Sequence, residues 1–187
     1  MKTKLLYTFI AIWFFGMSYT IAHMHGIHLA VFENKVEKSD FKISEIPNDF
    51  GMVHILTEEC GCSQIIAEYL IERKPTPGIS ESVMFLGKSK TYEQSLSKAG
   101  FKILKSKDIK SYIEGVPLLI IHNKAGEIKY SGGYAKTMVT PITKIQDLAL
   151  LEQIKNKTAP ENFHIQGCAV AKSIQKELDP LGLKYSL

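Results

Sequence analysis

Two cysteines separated by a single glycine, Cys60-Gly61-Cys62, stand where a short apolar run gives way to a helical pattern. Residues 52–56, just before the motif, are apolar and partly β-branched, which is typical of a buried strand. Apolar residues at helical spacing follow the motif and end at Arg73-Lys74-Pro75, where basic residues and a proline terminate a helix. The sequence therefore predicts that both thiols lie at the start of a helix that follows directly on a strand.

Strands and helices are predicted along the rest of the chain. We predict strands at residues 82–87, 118–122 and 127–131, helices at residues 92–99 and 143–155, and a last helix opened by Gly167-Cys168. The strands at 118–122 and 127–131 are joined by a short turn, which predicts an antiparallel hairpin. Residues 31–46 alternate apolar and polar side chains and predict an edge strand. Because the earlier strands are connected through helices, this order predicts an α/β fold with a mixed sheet and helices on both faces.

The N-terminus carries the features of an export signal. Lys2 and Lys4 precede an uncharged, mostly apolar stretch that continues to Ala22. Such a segment is typical of a signal peptide or of a transmembrane anchor, since about 20 residues span the hydrocarbon core. Aromatic residues near its outer end, such as Trp13, favour an uncleaved anchor. We therefore expect the body to face the periplasm or the cell exterior, tethered to the membrane or, alternatively, secreted to the periplasm after cleavage.

Composition is that of one globular domain with short appendages. The 187 residues are 45% hydrophobic and 22% charged, which suffices to bury a core. The net charge is only +4, and because nucleic-acid binders usually carry a clustered basic face, we expect no nucleic-acid partner. We predict four segments: a signal peptide or anchor (1–22), a juxtamembrane spacer and entry segment (23–48), the main domain (49–157) and a C-terminal helical extension (158–187).

The Cys60-Gly61-Cys62 motif has the chemistry of a reactive dithiol. A helix N-terminus favours an anion and can lower a cysteine pKa from about 8.5 to roughly 3.5–7.5, which generates the nucleophilic thiolate. A second thiol nearby can resolve a mixed disulfide. A single intervening residue predicts a strained and labile disulfide, and a glycine there removes the Cβ that would crowd so small a ring. This favours exchange chemistry that needs no cofactor and no metal.

The chain resembles the thioredoxin-like superfamily over residues 50–155. The strand before Cys60-Gly61-Cys62 and the helix after it look like that family's strand, redox motif and helix. Gly115-Val116-Pro117 ahead of a strand looks like its Val-Pro step, and the hairpin followed by Gly132-Gly133 looks like the elements that come next. The resemblance implies a three-layer α/β/α sandwich with a mixed sheet, here with an added N-terminal membrane helix and C-terminal helical extension.

The resemblance also implies roles for individual residues. It implies that Pro117 is cis and lies against the redox cysteines, that the backbone of Val116 pairs with an incoming peptide, and that Cys60 attacks. The motif departs from the family's commonest pattern, which has two residues between its cysteines and an aromatic residue where Glu59 stands. A carboxylate at that position raises the pKa of the neighbouring thiol. Which of Cys60 and Cys62 attacks therefore stays open.

Other candidate residues are single cysteines and histidines. Cys168 is predicted to sit at the start of the last helix, as a possible accessory thiol or, alternatively, as a small buried hydrophobe. His54 and His122 fall within apolar strands, and we interpret both as core or strand-end residues rather than ligands.

Three functions fit these observations. The first is an extracytoplasmic thiol–disulfide oxidoreductase that acts on protein thiols or disulfides through Cys60 and Cys62. The second is a copper or zinc carrier, because thiolates select Cu(I) and Zn(II), with Cys168 or a histidine completing the ligand set. The third is a non-catalytic interaction domain in which the dithiol locks a loop.

Overall fold

The computed structural model describes residues 2–28, 30–33, 46–87, 90–105, 113–180, 182 and 184–185. The helices within these residues are α1 (Lys2–His28), α2 (Gly61–Arg73), α3 (Lys90–Ala99), α4 (Asp147–Lys155) and α5 (Lys172–Leu178). The strands are β1 (Val31–Phe32), β2 (Phe50–Leu56), β3 (Ser80–Phe85), β4 (Lys102–Leu104), β5 (Gly115–Val116), β6 (Leu118–Asn123), β7 (Ile128–Gly132), β8 (Ile165–Gln166) and β9 (Cys168–Ala169).

A mixed five-stranded sheet forms the centre of the fold, in the order β4-β3-β2-β6-β7. Strands β2, β3 and β4 run parallel, because α2 and α3 carry the chain back between them. Strands β6 and β7 form the predicted hairpin, and β6 pairs antiparallel with β2. A strand-helix-strand unit followed by an antiparallel hairpin and a helix confirms the predicted α/β, thioredoxin-like fold.

The two faces of the sheet bury different parts of the chain. Side chains alternate along β2, so that Met52 and Leu56 pack with α2, α3 and α4, whereas Val53 and Ile55 face the opposite way. The second face is covered by residues from the short strands and from the C-terminal segment, with α5 packed at its margin. Cys60 and Cys168 both belong to this second cluster. The two faces thus place the cysteines on the side that the C-terminal segment covers.

The C-terminal segment returns across the domain as two short strands. β8 pairs antiparallel with β1, and β9 pairs antiparallel with β5. The Val170 amide donates to the Glu114 carbonyl at 2.8 Å, and the Gly133 amide donates to the Phe163 carbonyl at 2.8 Å. Main-chain hydrogen bonds therefore attach residues 163–170 to the body of the domain on both sides of Cys168.

The prediction that Cys168 opens the last helix is wrong. Cys168 lies in β9, and α5 begins only at Lys172. The main chain is extended here because Cys168 is paired with Val116 and the Ala169 amide donates to the Tyr185 hydroxyl at 3.0 Å. Of the segment 31–46, β1 and Ile46 are described, and the apolar positions between them lie outside the described residues.

Helix α1 contains the apolar N-terminal stretch and continues to His28. The window Lys4–Ile21 has a mean hydropathy of 1.3, so the helix is long and apolar enough to cross a membrane. A signal sequence would share these properties. The structure therefore supports an N-terminal segment of one of these two kinds.

Candidate functional site

Cys60 lies at the N-terminus of α2, between the end of β2 and the first helical turn. Its backbone is extended, with φ −113° and ψ 117°, and α2 begins at Gly61, as the sequence predicts. The side chain is fully buried, and its Sγ lies 3.8 Å from the carbonyl oxygen of Val116. The Val116–Pro117 peptide bond is cis, as the resemblance implies. The strand-to-helix junction thus brings the first cysteine against the Val-Pro step.

Cys168 reaches the same place from the other end of the chain. In the β5–β9 pair its Cα stands opposite that of Val116, and only 8% of the residue is exposed. Gly167, just before it, passes so close to the Val116 carbonyl that a Cβ would overlap that oxygen and lie 3.0 Å from the Pro117 ring. The backbone of Val116, which the resemblance assigns to an incoming peptide, is therefore already paired with this chain's own cysteine strand.

Cys60 and Cys168 pack in the same buried cluster, and Cys62 packs against that cluster. Hydrogen bonds from the thiols of Cys168 and of Cys62, assisted by the Ser63 backbone amide, lower the pKa of Cys60 well below its ordinary value, although burial opposes this shift. The contact with the Val116 carbonyl, at 3.8 Å, is long for a hydrogen bond. Of the three cysteines, Cys60 is the one whose pKa is lowered.

The two flanking thiols are held in the protonated form. The hydrogen bond to Cys60, burial and the charge of Cys60 raise the pKa of Cys62, and the same three causes raise that of Cys168. The ammonium group of Lys184 lies near both and partly offsets these shifts. The pKa of Cys60 is thus lowered while those of Cys62 and Cys168 are raised, which favours Cys60 as the thiolate of the three.

Glu59 does not have the effect on Cys60 that the sequence predicts. Its side chain is exposed, and the neighbouring thiols, rather than this carboxylate, dominate the pKa of Cys60. The sequence predicts a pKa lowered by the helix N-terminus and partly restored by Glu59; the pKa of Cys60 is lowered, and Glu59 is not among the main causes of the shift. The sequence missed the decisive neighbour because Cys168 reaches Cys60 only through the β5–β9 pairing, which no local pattern indicates.

Two cavities open beside the buried cluster. One, of about 770 Å³, is lined by Thr57, Cys168 and Lys184 among others. The second, of about 410 Å³, is lined by Cys62, Cys168 and Lys184 on one side and by residues 138–141 on the other. Because Cys62 is only half-buried and lines the second cavity, it is the thiol of the motif with the more open approach.

The two histidines considered as metal ligands lie elsewhere. His54 is fully buried, with Nδ1 3.0 Å from the Tyr134 hydroxyl and Nε2 3.2 Å from Glu81. His122 pairs with Gly51 at the opposite end of β2 from Cys60, and burial lowers its pKa. Among the residues that the structure describes, no three of the ligand types Cys, His, Asp and Glu are arranged to hold a metal ion. Both histidines are core or strand-end residues.

A buried ion network ties α2 to the sheet below it. Arg73 donates to both oxygens of Glu81, at 3.1 and 2.6 Å, and lies 3.3 Å from Asp147 at the start of α4. Glu81 also accepts from the Thr76 amide at 2.7 Å. The network includes His54 and fixes the far end of the helix that carries Cys60-Gly61-Cys62. The sequence pattern around Arg73 indicates only the end of a helix.

Comparison with known proteins gives a fold but no family. No family model matches the chain, and no curated protein matches it. A solved structure of a hypothetical protein from Sinorhizobium meliloti 1021 is similar, with a TM-score of 0.52, 13% identity, and coverage of 66% of this chain and 79% of that one. At that identity the similarity concerns the fold alone.

Two further solved structures are more distant. An uncharacterized conserved protein from Geobacillus kaustophilus has a TM-score of 0.46 and 13% identity, over 66% of this chain and 77% of that one. A thioredoxin-like protein in the oxidized form, solved in solution, has a TM-score of 0.45 and 12% identity, over 69% of this chain and 90% of that one.

Proposed function

We propose that this protein is a thiol–disulfide oxidoreductase that exchanges electrons with protein thiols or disulfides through Cys60 and Cys62. The observation that carries the proposal is the position of Cys60, which is buried at the N-terminus of α2 and packs with Cys62 and Cys168. Hydrogen bonds from those two thiols lower the pKa of Cys60, which favours its thiolate. A thiolate with a second thiol in contact is what disulfide exchange requires, because one sulfur attacks and the other resolves the mixed disulfide. The reaction needs no cofactor.

The difference in burial between Cys60 and Cys62 favours different roles for them in the exchange reaction. Cys62 lines a cavity and is half-buried, whereas Cys60 is fully buried. We propose that a partner thiolate attacks the Cys62 sulfur of the oxidised pair and that Cys60 leaves as the thiolate. A second partner thiol then displaces Cys62, so that the partner leaves with a disulfide and the motif is reduced. Val116 and Pro117 form the wall beside the reacting sulfurs, and a peptide that pairs with Val116 must displace β9.

We further propose that α1 anchors the protein in a membrane and that the domain faces the periplasm or the cell exterior. Support comes from the length and apolar character of α1 and from the basic residues at its start. A dithiol of this kind can be oxidised and reduced there, since disulfides persist outside the cytoplasm. Release to the periplasm after cleavage at Ala22 is the alternative.

The proposal is tested by disulfide exchange with the full chain in detergent. The substrate is a fluorogenic peptide disulfide, and reduction and oxidation are followed in glutathione buffers. The wild-type protein should catalyse exchange, whereas Cys60→Ser and Cys62→Ser should each lose activity. Thr137→Ser is a matched control, because Thr137 is a hydroxyl residue that lies outside the cysteine cluster. Full activity in Cys60→Ser would overturn the mechanism.

A further inference from the structure

The oxidised state of the cluster depends on which thiol pairs with Cys60. Cys168 stands opposite Val116, whose carbonyl oxygen lies 3.8 Å from the Cys60 sulfur, and it packs in the same buried cluster as Cys60. Cys62 packs against that cluster, so either thiol is a candidate partner for Cys60. Cys62 follows Cys60 after a single residue, within the first turn of α2. A disulfide between residues separated by a single position closes a small ring, which predicts a strained bond.

A disulfide between Cys168 and Cys60 would not close a small ring. Cys168 sits on a separate strand whose position is fixed by the β5–β9 pairing, by the hydrogen bond from Val170 to Glu114 and by the Ala169–Tyr185 contact. Its side chain packs in the same buried cluster as Cys60. A bond from Cys168 to Cys60 would join two segments far apart in sequence that are already adjacent, and long closed loops gain most from a disulfide.

We propose that Cys168 is a third redox-active cysteine. By internal disulfide exchange it displaces Cys62 from a Cys60–Cys62 disulfide, so that the Cys60–Cys168 disulfide is the main oxidised form. This inference rests on the proposed exchange function of Cys60 and Cys62.

The step transfers no electrons out of the protein. The Cys168 sulfur, as the thiolate, attacks the Cys60 sulfur of a Cys60–Cys62 disulfide, and the bond between Cys60 and Cys62 breaks. Cys62 leaves as a thiolate and takes up the proton that Cys168 lost. The half-buried Cys62 is then a free thiol beside its cavity, and the disulfide joins the two buried cysteines, Cys60 and Cys168. The Lys184 ammonium lies beside Cys168, where it favours the attacking thiolate.

Peptide mapping of the oxidised full chain tests the inference directly. Trypsin cleavage at Lys and Arg places Cys60 and Cys62 together in the fragment 43–73 and Cys168 in the fragment 158–172. After equilibration with glutathione disulfide and blocking of free thiols, the expected product is a cross-linked pair of these fragments that separates on reduction. Fragmentation of the pair should assign the bond to Cys60, and Cys62 should carry the blocking group.

Variants separate this inference from the proposed function. Cys62→Ser should keep the cross-link, and Cys60→Ser should lose it. Gly167→Ala keeps all three thiols but forces β9 away from the Val116 carbonyl, so the cross-linked fraction should fall. A wild-type protein that forms only the Cys60–Cys62 bond and exchanges disulfides normally would overturn this inference and leave the proposed function standing. A protein that forms neither bond and exchanges nothing would overturn both.

Discussion

The Cys60 sulfur lies 3.8 Å from the carbonyl oxygen of Val116, the residue whose other neighbour across β5–β9 is Cys168. Val116 therefore brings together two cysteines that are far apart in sequence. This relationship explains why Cys60 is buried yet has a lowered pKa, because β9 packs against it and carries Cys168, whose hydrogen bond is the largest cause of the shift. The predictions below follow from that arrangement and from the packing that maintains it.

The first prediction concerns the charge on Cys60. Because the hydrogen bond from Cys168 is the largest cause of the low pKa of Cys60, Cys168→Ala should raise that pKa towards the ordinary value of about 8.5. In a pH titration of thiolate absorbance, the reduced wild type should retain one thiolate well into the acidic range. Cys60→Ser should lose that signal. A wild-type titration that begins only near the ordinary thiol pKa would contradict the described cluster.

The second prediction concerns the buried carboxylate of Glu81. Burial alone raises its pKa, but hydrogen bonds from His54 and Arg73 outweigh burial and hold the pKa well below the ordinary range. Removing one member of a buried ion pair costs about 3 kcal/mol or more, so Glu81→Gln should lower the free energy of unfolding by that order. Urea unfolding of the full chain in detergent measures this loss. The exposed Lys136–Glu161 pair provides the control, since Glu161→Gln should change little.

The pH dependence of that stability has a definite sign. The folded pKa of Glu81 lies below its unfolded value of about 4.3, so its contribution is complete above that pH and is lost as the pH falls through the folded pKa. The wild-type free energy of unfolding should therefore decline on acidification below about pH 4. The decline should be shallower in Glu81→Gln, and parallel curves would show that the network does not stabilise the fold.

The third prediction compares two glycines. A Cβ at Gly115 would overlap the ring of Phe32 in β1, so Gly115→Ala should destabilise the protein by roughly 1–3 kcal/mol. A Cβ at Gly61 meets no atom within 4 Å, and Gly61 lies in α2, so Gly61→Ala should be neutral or should stabilise by about 0.4–1 kcal/mol. Thermal unfolding of the two variants in parallel makes the comparison. Equal losses would mean that β1 is not packed on β5 as described.

The fourth prediction concerns the N-terminal helix. If α1 is an anchor, the full chain should remain in the membrane pellet through an alkaline carbonate wash, and a chain that lacks residues 1–22 should not. Mass spectrometry of the intact protein from the exporting cell gives the second readout. A soluble product that begins directly after Ala22 would show that residues 1–22 are a cleaved signal peptide and not an anchor.

Sequence patterns predicted the helices and strands that are long enough for the spacing of their apolar residues to be recognised. The strand before Cys60, the helix after it and the β6–β7 hairpin all carry several apolar side chains at regular spacing, and each was found close to its predicted position. The strands β1, β5, β8 and β9 have two residues each, which is too short for any period to appear. Their pairing depends on tertiary contacts, so the sequence did not reveal it.

The sequence predicted the part of the candidate site that lies around the Cys60-Gly61-Cys62 motif, but not the contacts made by residues distant in sequence. Cys60 and Cys62 were identified from a local motif, and Val116 and Pro117 from the resemblance to the thioredoxin-like superfamily. Cys168 was considered as a possible accessory thiol or a small buried hydrophobe and was assigned to a helix start, since the apolar spacing after it is helical and the extended pairing with Val116 has no sequence signal. The buried partners of Arg73 were missed for a related reason, because a basic residue before a proline already had a local explanation.

The redox equilibrium of the full chain tests the central claim most directly, which is that Cys60 is the sulfur shared by every intramolecular disulfide. The protein is equilibrated in glutathione buffers of graded potential, and free thiols are counted by mass after maleimide labelling. Wild type, Cys62→Ser and Cys168→Ser should each lose one pair of free thiols in a single transition, whereas Cys60→Ser should lose none. A Cys60→Ser protein that still forms an intramolecular disulfide at the wild-type potential would contradict the account.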